Sequence, residues 1–136
     1  MIFAIIDTNI VVSALLANEP SKSIPMQILS EALTGCVTPI VTDEILEEYV
    51  DVLHRDKFKF SAQKVNIILD GIIKRAIQIN TDGITSVLPD LDDVCFYNAL
   101  LATTALKSIL ITGNSRHFPN SSSIMTPSEF YSKYLV

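Results

Sequence analysis

Tryptophan is missing from this chain, and cysteine and histidine occur only twice each. Cys36, Cys95, His54 and His117 are scattered and show no zinc-site spacing. With four glycines and six prolines, the elements must be bounded by caps and short turns rather than by linkers. The apolar run at the start holds only Ile2 to Ile6 before Asp7, and no basic segment precedes it. This pattern leads us to expect no secretory signal and no membrane span, hence a cytoplasmic protein with free thiols. A hydrophobic content of 49% argues against disorder. The length predicts one domain over residues 1–136.

Positive charge is also in short supply. The net charge is −5, which speaks against indiscriminate binding of polyanions. Yet Asp51 to Asn80 holds Arg55, Lys57, Lys59, Lys64, Lys74 and Arg75 against Asp51, Asp56 and Asp70, a local excess of +3 that leaves −8 on the remainder. A basic sector beside a strongly acidic remainder suits a polyanion on one and metal ions on the other, or is simply a solvated helix face.

What is present alternates between strand and helix patterns. Ile2 to Ile6 predicts a strand buried on both faces, and the apolar segment from about Asn9 to Ala17 predicts a central helix. Ser23 caps a helix running through Leu33, with Pro25 in its first turn and Gly35 as its stop. Cys36 to Val41 is a second strand, placed at an end or an edge by Pro39. Thr42 or Asp43 opens a helix whose stripe is Ile45, Leu46, Tyr49, Val50 and Leu53. Ser61 opens another, with Val65, Ile68, Leu69, Ile72, Ile73 and Ala76 inward. Ile77 to Ile79 is a short strand. The acidic turn Asn80 to Asp93 runs into a helix from about Val94 to Leu106. Ile109 to Ile111 is a strand, Ile124 marks a minor one, and Thr126-Pro127-Ser128-Glu129 is a capping box before a last helix. The pattern predicts an α/β fold of three layers, α/β/α, around a mainly parallel sheet of four or five strands.

Right-handed crossovers put all strand carboxyl ends on one edge, where ligands of open α/β sheets bind. Asp7, the helix after the second strand, the acidic turn before Val94, and Asn114 can all meet there. On that helix Glu44 lies nearly opposite the apolar stripe, whereas Glu47 and Glu48 border it, which favours the border pair as site residues. Carboxylates crowded into one cleft repel unless protonated or bridged by a divalent cation. With oxygen donors and no histidine or cysteine grouping, the ion is Mg²⁺ or Mn²⁺. Such an ion activates water and stabilises an in-line phosphoryl transition state, so phosphodiester hydrolysis is the reaction class.

The opening Ile5-Ile6-Asp7-Thr8-Asn9 resembles the start of PIN-domain ribonucleases. The segments Thr42 to Phe58, Asp90 to Tyr97 and Ile111 to Pro119 are similar to a bacterial PIN subfamily assigned as toxins of toxin–antitoxin systems. The resemblance implies metal-dependent RNA cleavage with Asp7, Glu48 and Asp93 as the first three acids and Asn114 at the fourth position. It implies Asp7 and Asp93 as direct Mg²⁺ ligands and Glu48 as a ligand through water or as the group that orients the attacking water. Asp92 is the alternative to Asp93, and Glu44 the alternative to Glu48. Thr8 and Asn9 would orient Asp7, and Thr112 would cap beside Asn114. Arg55, Lys57 and Lys59 would meet the RNA backbone, with Arg116 and His117 near the scissile phosphate. A small antitoxin protein and a second copy of the chain, as a homodimer or higher oligomer, are the implied partners. A neutral Asn114 weakens the fourth position, puts a second metal ion in doubt and keeps alive one alternative, a catalytically dead PIN module that binds RNA or protein; a phosphorelay receiver is the other. The receiver lacks support, because Asn114-Ser115-Arg116 stands where its lysine belongs.

Overall fold

The computed structural model describes residues 1–136. Five strands, β1 (Ile2–Ile6), β2 (Val37–Val41), β3 (Ile77–Gln78), β4 (Ile109–Ile111) and β5 (Ile124–Met125), form one sheet in the order β3-β2-β1-β4-β5. Every pairing is parallel. The central position of β1 follows from its composition. Ala4, Ile5 and Ile6 are buried on both faces, as are all three residues of β4 beside it.

Six α-helices connect and cover the strands: α1 (Thr8–Leu15), α2 (Ile24–Thr34), α3 (Asp43–Leu53), α4 (Ala62–Arg75), α5 (Val94–Ala102) and α6 (Pro127–Phe130). From β1 the chain moves outward through β2 to β3, then crosses back to build β4 and β5 on the other side. Crossovers of one hand therefore place the two sets of helices on opposite faces. α2 and α4 pack against β2, and α5 against β1 and β4. The result is the three-layer α/β/α architecture expected. No helix is long and apolar enough to cross a membrane.

Most caps are those read from the sequence. Ser23, Thr42 and Ser61 each accept the backbone N–H three residues on. Thr126 and Glu129 form the reciprocal capping box. Five expectations need correction. Helix α1 begins at Thr8, with Asp7 itself at the N-cap, and ends at Leu15 rather than Ala17. Strand β2 is interior and not an edge, although it carries Pro39. The sheet accommodates the proline because the carbonyl of Val41 faces β3 and accepts from Ile79 N–H at 2.9 Å. Two residues earlier the strand faces the same way, so the missing N–H of Pro39 points where β3 has not yet begun, its pairing starting opposite Ile40.

Helix α5 stops at Ala102, not Leu106. The hydroxyl of Thr103 folds back onto Ala99 O at 2.7 Å and pairs with the Ser108 hydroxyl at 2.7 Å, offering the backbone an alternative to another helical turn. A 3-10 turn then closes at Lys107 in the left-handed region, φ 54°. On α4, Ile73 faces solvent, and the buried face is Val65, Ile68, Leu69 and Ile72. On α3, Val50 is exposed and Val52 takes its place in the core.

Candidate active site

Register creates the centre of the site. Ile6 of β1 pairs with Ile111 of β4, so the next residues, Asp7 and Thr112, leave the sheet side by side. Both are buried. Thr112 Oγ1 donates to Asp7 Oδ2 at 2.7 Å and accepts the N–H of Asn114 at 3.0 Å. Asn9 N–H reaches Asp7 Oδ1 at a long 3.5 Å. The side chains expected to orient Asp7 do not do so: Thr8 Oγ1 is buried without a partner, and Asn9 contributes its backbone. That work belongs to Thr112. Burial nevertheless lifts the Asp7 carboxyl above its ordinary range, more than these donors lower it.

α3 reaches the same edge through Tyr49. This residue is fully buried and its phenol donates to Ile6 O at 2.5 Å, one residue before Asp7. The bond ties the helix to the end of β1 and brings the preceding residue, Glu48, to the cleft. Glu48 is half-buried, while Glu44 and Glu47 are exposed. Its carboxyl is pushed up by burial, then by the neighbouring charge of Asp92.

α5 supplies the third acid. Asp90 caps a short 3-10 turn, Leu91–Asp93, by accepting Asp92 N–H at 2.9 Å. Asp92 stays exposed, whereas Asp93 is buried. Asp93 stands at the N-cap of α5 but makes no side-chain cap bond, which frees its carboxyl for the cleft. Burial raises its pKa first, followed by Asp7 and Asp90.

Asp7, Glu48, Asp93 and Asn114 thus line one cleft of about 220 Å³, together with Thr8, Asn9, Asp90, Asp92 and His117. Its outer wall carries Arg55, Lys57 and Phe58. Several residues singled out from the sequence lie elsewhere. Glu44 and Lys59 do not line the cleft, and Thr112 stands behind Asp7. Arg116 faces a separate hollow of about 530 Å³ with Ser121 and Lys133 and does not line the acidic cleft. His117 instead lies 3.4 Å from Asp93 Oδ2, an acid rather than a free phosphate subsite. Asp90, present in the acidic turn but given no role by sequence reasoning, joins Asp93 and His117 within 4.8 Å of one another. The signal for it was its Asx-turn position two residues before Asp92.

The donor set fits a divalent cation. Asp93 Oδ2 is shielded from solvent and is approached by His117 Nδ1 at 3.4 Å without a well-formed hydrogen bond, a costly arrangement for a carboxylate unless a cation meets it. Asp7, Glu48 and Asp93 line this one cleft, each with its protonation favoured by burial, while the side chains whose ligand atoms fall within 4.8 Å of one another are Asp90, Asp93 and His117. Oxygen donors of this kind suit Mg²⁺ or Mn²⁺.

A family model described as PIN domain matches residues 4–116. No curated protein and no solved structure matches the chain.

Proposed function

This chain belongs to the PIN-domain family, whose members are generally nucleases, and from that premise we propose that it is a divalent-metal-dependent endoribonuclease, the toxin of a toxin–antitoxin pair. The observation that carries this is the convergence of Asp7, Glu48 and Asp93, from three separate elements, on one cleft with a basic outer wall.

Asp7 and Asp93 would hold the ion, with Glu48, less buried than either, as the third acid of the cleft. When bound, Mg²⁺ or Mn²⁺ lowers the pKa of a water and offsets charge on the phosphoryl oxygens. The residues supply the rest. Thr112 fixes one Asp7 oxygen and leaves the other with only the long 3.5 Å approach of Asn9 N–H. Glu48, its proton affinity increased by burial, accepts a proton from the attacking water. Arg55 and Lys57 hold the RNA phosphates at the wall. No side chain is needed as nucleophile. The antitoxin and a homodimer partner are further parts of this proposal, as is a cytoplasmic setting.

Single-stranded RNA incubated with the protein and Mg²⁺ or Mn²⁺ tests it. Cleavage is expected, lost with a chelator and in Asp7→Asn or Asp93→Asn. Intact RNA under every divalent condition would overturn it. Growth arrest on expression, relieved by Asp7→Asn and by a small neighbouring gene product, tests the toxin role. The neutral side chain of Asn114 favours one second reading, a PIN module that binds RNA without cutting it. In that case both Asn variants bind RNA as the parent does, and none of the three cuts.

A further inference from the structure

The connector between α3 and α4, His54 to Ser61, interleaves basic and aromatic side chains, and its rings have no part in the acid chemistry of the cleft. A 3-10 turn over Asp56–Phe58 closes with Lys59 N–H on Asp56 O at 3.1 Å, and Lys59 itself takes the left-handed conformation at φ 57°. That conformation is uncommon for a residue with a long side chain. Here it folds the chain so that Phe58 and Phe60 stack, ring centroids 5.6 Å apart and planes 13° from parallel.

Both rings rest on the core yet stay half-buried. Each carries an ammonium: Lys57 Nζ stands 5.0 Å from the Phe58 centroid, and Lys64 Nζ 5.6 Å from that of Phe60. Neither lysine, nor Lys59, has a carboxylate partner. An exposed ammonium over a ring is held weakly and can give way to another flat ring. Four of the chain's ten basic residues, Arg55, Lys57, Lys59 and Lys64, fall in this stretch and the first turn of α4, opposed there by Asp56 alone. Arg55, Lys57 and Phe58 also line the acidic cleft, so the stack begins at the wall of the site. Core packing asks only for apolar volume. Parallel rings with unpaired cations over them suit a single strand, whose bases stack on the rings while the cations follow its backbone.

We propose that Phe58 and Phe60 form a stacking platform for the nucleobases of single-stranded RNA, with Lys57 and Lys64 released from the rings to the neighbouring phosphates. The kind of strand follows from the rings. Every base has a π-face, so the platform tolerates sequence. A duplex keeps those faces stacked inside itself and presents only edges and backbone, which makes it a poor ligand here. The inference deepens the nuclease reading and rests on it for the choice of RNA as the strand.

Stacking can be read without any turnover. The chain has no tryptophan, so Phe58→Trp placed in the Asp7→Asn protein gives a single indole at the platform. The probes are a short oligouridylate and an abasic ribose-phosphate chain of the same length, titrated at low salt. Quenching of the indole by the oligouridylate is expected, and none at saturation with the abasic chain. Phe58→Leu, which keeps apolar volume over the core, should weaken oligouridylate binding about 5- to 150-fold, the range of one lost stack, and leave the abasic chain bound as before. An unquenched indole in the oligouridylate complex overturns the proposal, as does an equal loss for both probes in Phe58→Leu. So does a failure of the oligouridylate to bind, the result expected if a protein covers the rings instead. Quenching, with RNA left intact by the parent protein, supports the platform and sinks the nuclease reading. RNA cut by the parent without quenching does the reverse.

Discussion

Thr112 gives its single hydroxyl proton to Asp7 at 2.7 Å while its oxygen receives the Asn114 amide at 3.0 Å. The threonine thus links the ends of β1 and β4, and the turn beyond, through one atom. Its donor also counters the burial that raises Asp7. Thr112→Val keeps the shape and removes the donor, leaving a buried carboxylate oxygen unmet. A loss of about 1–3 kcal/mol is expected in urea unfolding at neutral pH, with Thr112→Ser close to the parent. Equal stability of the valine and serine variants would contradict this role.

Asp7, Glu48 and Asp93 all have folded-state pKa values raised above their ordinary 3.8, 4.5 and 3.8. The folded state binds these protons more tightly than the unfolded state. Their contribution is therefore fully present below the unfolded values and is lost as pH rises through the raised ones. In a chelator, the thermal midpoint should fall as pH climbs from about 4 toward neutrality, and Asp7→Asn should flatten that decline. Mn²⁺ or Mg²⁺ at neutral pH should restore the midpoint of the parent protein. A midpoint that rises over the same interval would contradict the crowding of these acids.

Arg55 and Lys57 line the cleft, and Arg55 is engaged only by Asp51 at 3.1 Å on the surface. Such a pair holds the guanidinium weakly, leaving it available to a phosphate. Replacing both with alanine should reduce the slope of log K against log salt for single-stranded RNA by about 1.4, from the release of two counterions at roughly 0.7 each. Filter binding in Asp7→Asn, which is expected not to consume the RNA, measures it. An unchanged slope would move the RNA path away from this wall.

Tyr49→Phe deletes one buried hydroxyl and its bond to Ile6 O. About 1 kcal/mol of stability should go with it. Because that bond sets α3 against the end of β1, the rate of RNA cleavage should drop further than folding stability explains. Chemical denaturation beside single-turnover kinetics separates the two effects.

Local chemistry made the sheet legible. Ile2–Ile6 and Ile109–Ile111 announce buried strands by unbroken apolar runs, and Ser23, Thr42, Ser61 and Thr126 announce helix starts by their oxygens. The alternation of these elements sufficed to bring Asp7, Glu48, Asp93 and Asn114 to one edge. What stayed hidden depends on contacts between distant segments. No periodicity shows that Thr103 bonds Ser108 and so ends α5 early. None shows that Ile73 faces water while Ile72 is buried, since helix borders are set by the neighbours. The pairing of His117 with Asp93 was equally invisible, because the two residues belong to turns on different strand connections. Asp92 and Asp93 differ only in which way the 3-10 turn points them, a matter of backbone geometry and not of residue type.

Pro39 has a bearing on how the interior of the sheet tolerates a missing donor. The residue is buried, with Ala4 of β1 opposite it and β3 pairing only from Ile40 onward. An amide hydrogen placed there would enter dry surroundings with no partner strand opposite it. Replacing the ring by a valine would therefore cost stability, in spite of the better strand former, because it creates a need the fold has no group to answer.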